Sequence, residues 1–134
     1  MKPGESDLRR LVGGMKPVLA DEEYAFCTLD EEMLESLDSL PVSTFREPEG
    51  LSVILPAEEA TRRGYHSSFP CRMITLSIHS DLEAVGFLAL ITGRLAEAGI
   101  SVNAVSAYYH DHLFVPLDRA HEALSILKQL SAEV

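Results

Sequence analysis

The stretch "HSDLEAVGFLALITGRLAEAGISV" (79–102) decides how this chain is read. Val85, Leu88, Ile91, Leu95 and Ala98 recur at helical spacing, and Gly99 supplies the left-handed terminator that such a helix needs. Gly86 at the opening poses a question, because glycine weakens a helix by about 1 kcal/mol relative to alanine. One answer is close approach of the backbone: the first helical N–H groups lack acceptors and carry the positive end of the macrodipole, so a bare position admits a carboxylate. The other is tight packing of the helix on a sheet.

Working outward, "CRMITLSIHS" (71–80) alternates, with Ile74, Leu76 and Ile78 on one face and Thr75 and Ser77 on the other, as a strand covered on one side does. "SVNAVSAYY" (101–109) is rich in β-branched and aromatic residues, "HDH" (110–112) reads as a turn, and "LFVP" (113–116) as a partner strand. Asp118 is placed to cap a last helix whose stripe is Ala123, Leu124, Leu127 and Leu130. The order β-α-β-β-α is an α+β ferredoxin-like unit, helices on one face of an antiparallel sheet, lacking its fourth strand.

Upstream, "MKPVLA" (15–20) and "YAFCTL" (24–29) read as strands joined by an acidic turn, and "DEEMLESLDSL" (30–40) as a short helix. "VSTF" and "LSVILP" form a hairpin around "REPEG", and "AEEATRRG" (57–64) a helix stopped by Gly64. Residues 42–60, "VSTFREPEGLSVILPAEEA", echo residues 105–123, "VSAYYHDHLFVPLDRAHEA". The chain is therefore expected to be a tandem: a degraded N-terminal unit at 1–65 and a C-terminal unit at 66–134. A half of this size buries little surface alone, so strand 15–20 or 24–29 is expected to complete the C-terminal sheet.

Composition narrows the function. Among 134 residues, 46% are apolar and 24% charged, as in a globular domain, and the formal charge is −10 from 21 acidic and 11 basic residues. A surface this acidic repels phosphate backbones and anionic bilayers, so neither nucleic acid nor membrane is expected as a partner. The N-terminus carries no secretory apolar core and no apolar run reaches the roughly 20 residues that span a bilayer. A cytoplasmic location follows as the expectation, with Cys27 and Cys71 as reduced core thiols. His110 and His112 share one side of an extended segment, but no further ligand spacing supports a metal site, and a solvated turn is the expectation. The sequence contains no phosphate loop, no nucleophile elbow and no Cys/His pair, and the loop "SDLEAV" is acidic where a small ferredoxin-like hydrolase needs an anion-binding arginine. No enzymatic activity and no cofactor are expected.

The run "VGFLALITGRLAEAGISVNAVSAYYHDHLFVPLDRAHEAL" (85–124) resembles an ACT domain, the small effector-binding module of amino-acid metabolism. A strand runs into a loop, a helix opens on Gly plus a hydrophobic residue, "LAEAGI" ends it, and a strand with Val and a polar residue follows. "HS…GFLA…ISVN" is similar to the regulatory part of lysine-sensitive aspartate kinases, and the tandem arrangement is similar to small two-ACT proteins related to the cytosolic arginine sensors. The resemblance is good over 71–131 and weak over 1–65. It implies a regulatory amino acid held where two ACT units pair, on His79, Ser80, Gly86, Phe87 and Leu88 of the loop and helix start and on Asn103, Ala104, Val105 and Ser106 of the following strand. ACT units usually pair side by side, so pairing is expected either within this duplicated chain or in a homodimer; with no catalytic domain in the sequence, regulation is expected in trans on a protein partner or through oligomer state.

Several of these positions have a second reading. Ser80 with Glu83 fits a capping box, Phe87 fits the core, and Asn103 fits edge-strand satisfaction or a dimer contact. The longer loop "DLEAV", and Asn103 where an aspartate commonly holds the ligand's ammonium, depart from the kinases, so lysine is not carried over as the ligand. The competing function is an ACT-fold dimerisation module with a decayed site, anchored by Tyr108, Tyr109 and Phe114.

Overall fold

Residues 17–29 form one strand, not two. In the computed structural model, which describes residue 4 and residues 6–134, β1 (Pro17–Leu29) runs without interruption through the acidic run Asp21–Glu23. Charged residues are depleted in strands, which is why this run reads as a turn, but all three side chains are exposed and stay solvated on an extended backbone. The chain divides into two units: a terminal unit of Met1–Asp21 with Arg72–Val134, and a central unit of Glu22–Cys71. β1 enters both, as does β4 (Ser67–Leu76).

The terminal unit contains α1 (Leu8–Gly14), the first residues of β1, the end of β4, α4 (Phe87–Glu97), β5 (Asn103–Ser106), β6 (Asp111–Pro116) and α5 (Ala120–Ala132). Its strand order is β1-β4-β6-β5. Arg72 Nε donates to the Ala20 carbonyl at 3.0 Å and the Ser77 amide to the Lys16 carbonyl at 3.2 Å. The start of β1 therefore supplies the fourth strand. One face carries the core: Ile74, Leu76, Leu113 and Val115 from strands meet Ile91 and Leu95 of α4, Ala123, Leu127 and Leu130 of α5, and Leu11 and Val12 of α1. Burying a leucine or isoleucine contributes roughly 1.5–3 kcal/mol, so this face carries most of the unit's stability. The helix α1 is held by the Asp7 carboxylate, which accepts from the Arg10 amide at 3.0 Å.

The central unit contains the rest of β1, α2 (Glu31–Glu35), β2 (Ser43–Glu47), β3 (Gly50–Pro56), α3 (Ala57–Arg63) and the start of β4, in the strand order β2-β3-β1-β4. β1 and β3 pair antiparallel with Cys27 opposite Val53, and β2 and β3 with Phe45 opposite Ser52. Its helices have only 5 and 7 residues, against 11 and 13 in the terminal unit, which is the degradation expected of it. Its core is Cys27, Leu29, Val53, Leu55 and Ala60. The buried Glu59 carboxylate accepts from the Asp38 amide at 3.0 Å and Arg63 Nε at 2.9 Å, tying α3 to the segment after α2. Both cysteines are buried and free, and burial pushes the Cys71 thiol up to about 12. The fold is α+β with two ferredoxin-like units in tandem.

Three local expectations fail. The turn between β5 and β6 is Ala107–His110, closed by the Ala107 amide on the His110 carbonyl at 3.0 Å, so Asp111 and His112 belong to β6 and not to a solvated turn. Asp118 does not cap α5: it sits in a 3-10 turn, Leu117–Arg119, and no side chain caps the helix. Val85 lies before α4 and is 85% exposed. Among the described residues no helix is long and apolar enough to cross a membrane.

Candidate functional site

Between β4 and α4 the chain runs irregularly from Ser77 to Gly86. The Asp81 carboxylate accepts from the Glu83 amide at 2.9 Å and the Asp81 carbonyl from the Ala84 amide at 2.9 Å, folding "SDLEA" into a tight turn. The Ser80–Glu83 capping box does not form, because the helix begins only at Phe87. Gly86 is the N-cap residue with φ +92° and ψ −12°, a left-handed conformation open to glycine at little strain. A Cβ there would come no nearer than 3.9 Å to Leu8 Cδ2. Conformation, and not crowding, explains this glycine. It bends the chain so that its carbonyl accepts from the Leu90 amide at 3.0 Å, while no side chain caps the first-turn amides. That end of α4 keeps its positive partial charge uncompensated by a capping side chain.

Beside it lies an open cavity of about 120 Å³ whose described lining residues belong to the terminal unit: Ser80, Asp81, Gly86, Phe87, Leu88 and Ser106 among others, with Asp111. Asp111 is only 6% exposed. Its two oxygens accept from Ser106 Oγ at 2.7 Å and Ser80 Oγ at 3.2 Å. The hairpin creates this grouping, since Ser106 and Asp111 are register partners where β5 and β6 meet their turn. The cavity thus sets an uncapped helix end among two hydroxyls and a carboxylate, and among the described residues no lysine, arginine or histidine lines it. Donor amides and a buried anion together suit a zwitterion.

Of the residues expected from the family resemblance, Ser80, Gly86, Phe87, Leu88 and Ser106 come together here. Phe87 also buries its ring in the core at 3% exposure. Asn103, Ala104 and Val105 lie along β5 opposite Phe114, Leu113 and His112 and do not line this cavity. Nor does His79, whose ring packs on Tyr109 at 5.4 Å and Tyr108 at 6.2 Å between centroids. Phe114 is 1% exposed and so unavailable as an interface anchor, whereas Tyr108 and Tyr109 are half-exposed. His110 Nδ1 meets the Ile78 carbonyl at 3.2 Å and His112 Nδ1 meets Thr75 Oγ1 at 2.9 Å. Burial, then the neighbouring His110, pushes the His112 pKa down, against a weaker opposing pull from Asp111. Sequence reasoning misses Asp111. Its signal is a serine and an aspartate equidistant from a four-residue turn.

Such a pair of four-stranded units defines a tandem ferredoxin-like α+β protein. ACT-domain family models match residues 3–72 and 68–129, and the chain belongs to the ACT-domain family. A Vibrio cholerae protein of unknown function, described as a possible transport protein, is 44% identical, with 92% of this chain and 95% of that one aligned and a TM-score of 0.82. An Agrobacterium tumefaciens protein is 16% identical over 87% of this chain and 89% of its own, with a TM-score of 0.68. The ligand-free regulatory subunit of aspartate kinase from Thermus thermophilus has the same fold, at 9% identity, 85% and 95% coverage and a TM-score of 0.66. No curated protein sequence matches significantly.

Proposed function

We propose that this chain is an amino-acid sensor of the ACT type, cytoplasmic and acting in trans on a regulated protein partner. ACT domains typically bind amino acids in regulation, and both units of this chain are matched by ACT models. The observation that carries the reading is the open end of α4: a left-handed Gly86, first-turn amides without a side-chain cap, and a cavity beside them. The ligand carboxylate lies on the amides of Phe87 and Leu88, with Ser80 and Ser106 as further polar contacts. His79, Asn103, Ala104 and Val105 are not needed for this pose.

An amino acid of about five to ten heavy atoms, at roughly −1 kcal/mol per atom for the smallest and −0.5 for the largest, binds with a Kd of about 0.1–1 mM, a range suited to sensing metabolite pools. Occupancy regulates only where the ligand prefers one conformation or assembly. The test is thermal unfolding with each of the twenty amino acids at 10 mM. With a Kd of about 0.2 mM, a ligand at that concentration adds about 2 kcal/mol, several degrees in Tm. No response from any of the twenty removes the sensor reading. The half-exposed Tyr108 and Tyr109 favour a second reading, a dimerisation module, and sedimentation of the Tyr108→Ala, Tyr109→Ala double variant as a monomer, beside a dimeric wild type, is its expected signature.

A further inference from the structure

Among the described residues, Asp111 is the one buried acid of the terminal unit, 6% exposed, and it stands at the cavity wall. Two serine hydroxyls satisfy two of its roughly four lone-pair positions. Among the described residues no lysine, arginine or histidine forms an ion pair with it. His110 and His112, its chain neighbours, direct their Nδ1 atoms to Ile78 and Thr75. A carboxylate removed from water without a counter-cation is costly, and a fold that keeps one beside an open cavity leaves the counter-charge to come from outside. The described residues contain no group of three or more His, Cys, Asp or Glu side chains able to hold a metal ion. The geometry of one carboxylate flanked by two hydroxyls matches a primary ammonium, whose three N–H donors need three acceptors.

We infer that Asp111, with Ser80 and Ser106, receives the ligand's ammonium group and restricts the site to small zwitterions with uncharged side chains. This rests on the sensor reading and names its ligand class. The ligand carboxylate goes to the α4 amides and the ammonium to Asp111, so the two charged ends of an α-amino acid are distinguished by chemistry. Asp81, also at the wall, adds a second negative charge and disfavours aspartate and glutamate. The cavity, at about 120 Å³, is smaller than the roughly 150 Å³ that encloses a benzene, which favours side chains of the glycine, alanine and serine class.

Calorimetry on the full chain pairs glycine with glycolate, L-alanine with L-lactate, and L-serine with L-glycerate, each pair differing only in ammonium against hydroxyl. At least one of the three amino acids is expected to bind, with its hydroxy acid at least 30-fold weaker. Asp111→Asn, which keeps an acceptor for Ser106, is expected to lower that affinity at least 30-fold while the ligand-free Tm stays level or rises. Ser106→Ala is expected to lower it three- to tenfold. A hydroxy acid binding within threefold of its amino acid overturns the assignment on the wild type alone, whether or not the variants fold. So does an unchanged affinity in Asp111→Asn, or binding confined to acidic or long side chains. In each of those cases an amino acid still binds and the sensor reading stands; if none of the twenty binds, that reading fails and this one with it.

Discussion

Two glycines at one helix should respond to alanine with opposite signs. Gly86 has φ +92°, and the nearest atom to an added Cβ is 3.9 Å away, so Gly86→Ala meets no steric wall but must hold an L-residue in the left-handed region, at about 1–2 kcal/mol. Gly93 lies inside α4, exposed, at ordinary φ and with nothing within 4 Å of an added Cβ, so Gly93→Ala should stabilise by about 0.8–1 kcal/mol through helix propensity alone. The two variants then differ by about 2–3 kcal/mol. With a urea m-value of about 2 kcal/mol/M, that separates their midpoints by at least about 1 M at constant m. Gly86→Asn, which tolerates the left-handed region better, should fall between wild type and Gly86→Ala. If Gly86→Ala and Gly86→Asn are equally damaging, or either exceeds about 3 kcal/mol, crowding governs the position. A neutral Gly86→Ala would mean the open helix end is not held by a left-handed cap, and the reasoning about its amides fails.

Two further outcomes follow from the same unit. A Cβ at Gly4 would overlap the Ser80 carbonyl and lie 2.6 Å from the Asp81 nitrogen, so Gly4→Ala should displace the site loop, destabilise by about 1–3 kcal/mol and speed amide exchange over 80–86; unchanged exchange there refutes it. Burial, then the neighbouring His110, lowers the His112 pKa, so as pH falls through the ordinary histidine value of about 6.5 the folded chain binds fewer protons than the unfolded chain. Its contribution is complete above that value and is lost as pH falls towards the lowered folded pKa. Stability should therefore rise from pH 5 to 7, with a shallower slope in His112→Asn, and equal slopes in the two proteins refute the assignment.

Elements with a strong apolar period are legible in the sequence. Leu88, Ile91 and Leu95 place α4, Ala123, Leu127 and Leu130 place α5, and Gly64 and Gly99 mark the helix ends they terminate, at φ +72° and +74°. Charged and polar residues mislead where exposure, and not a change of chain direction, explains them. Asp21–Glu23 stay on a strand because water reaches all three side chains. "HDH" reads as a turn because three polar residues are usually solvated, yet the strand register turns Asp111 inward, which depends on Ser80 and Ser106 arriving from elsewhere in the sequence. The helix α1 has only 7 residues, too few for a period to show, and forms because α5 and the core give Leu11 and Val12 a surface to bury against.

The placement of residues 17–21 has a consequence for synthesis on the ribosome. Those residues and α1 emerge early, but the strands and helices that bury Leu11, Val12 and Met15 are translated only after residues 22–71. Until Arg72–Val134 appear, the early segment has a bare backbone edge and an unsatisfied apolar face, with nothing of its own unit to pair with. The terminal unit is therefore completed only after β5, β6 and α5 have been translated.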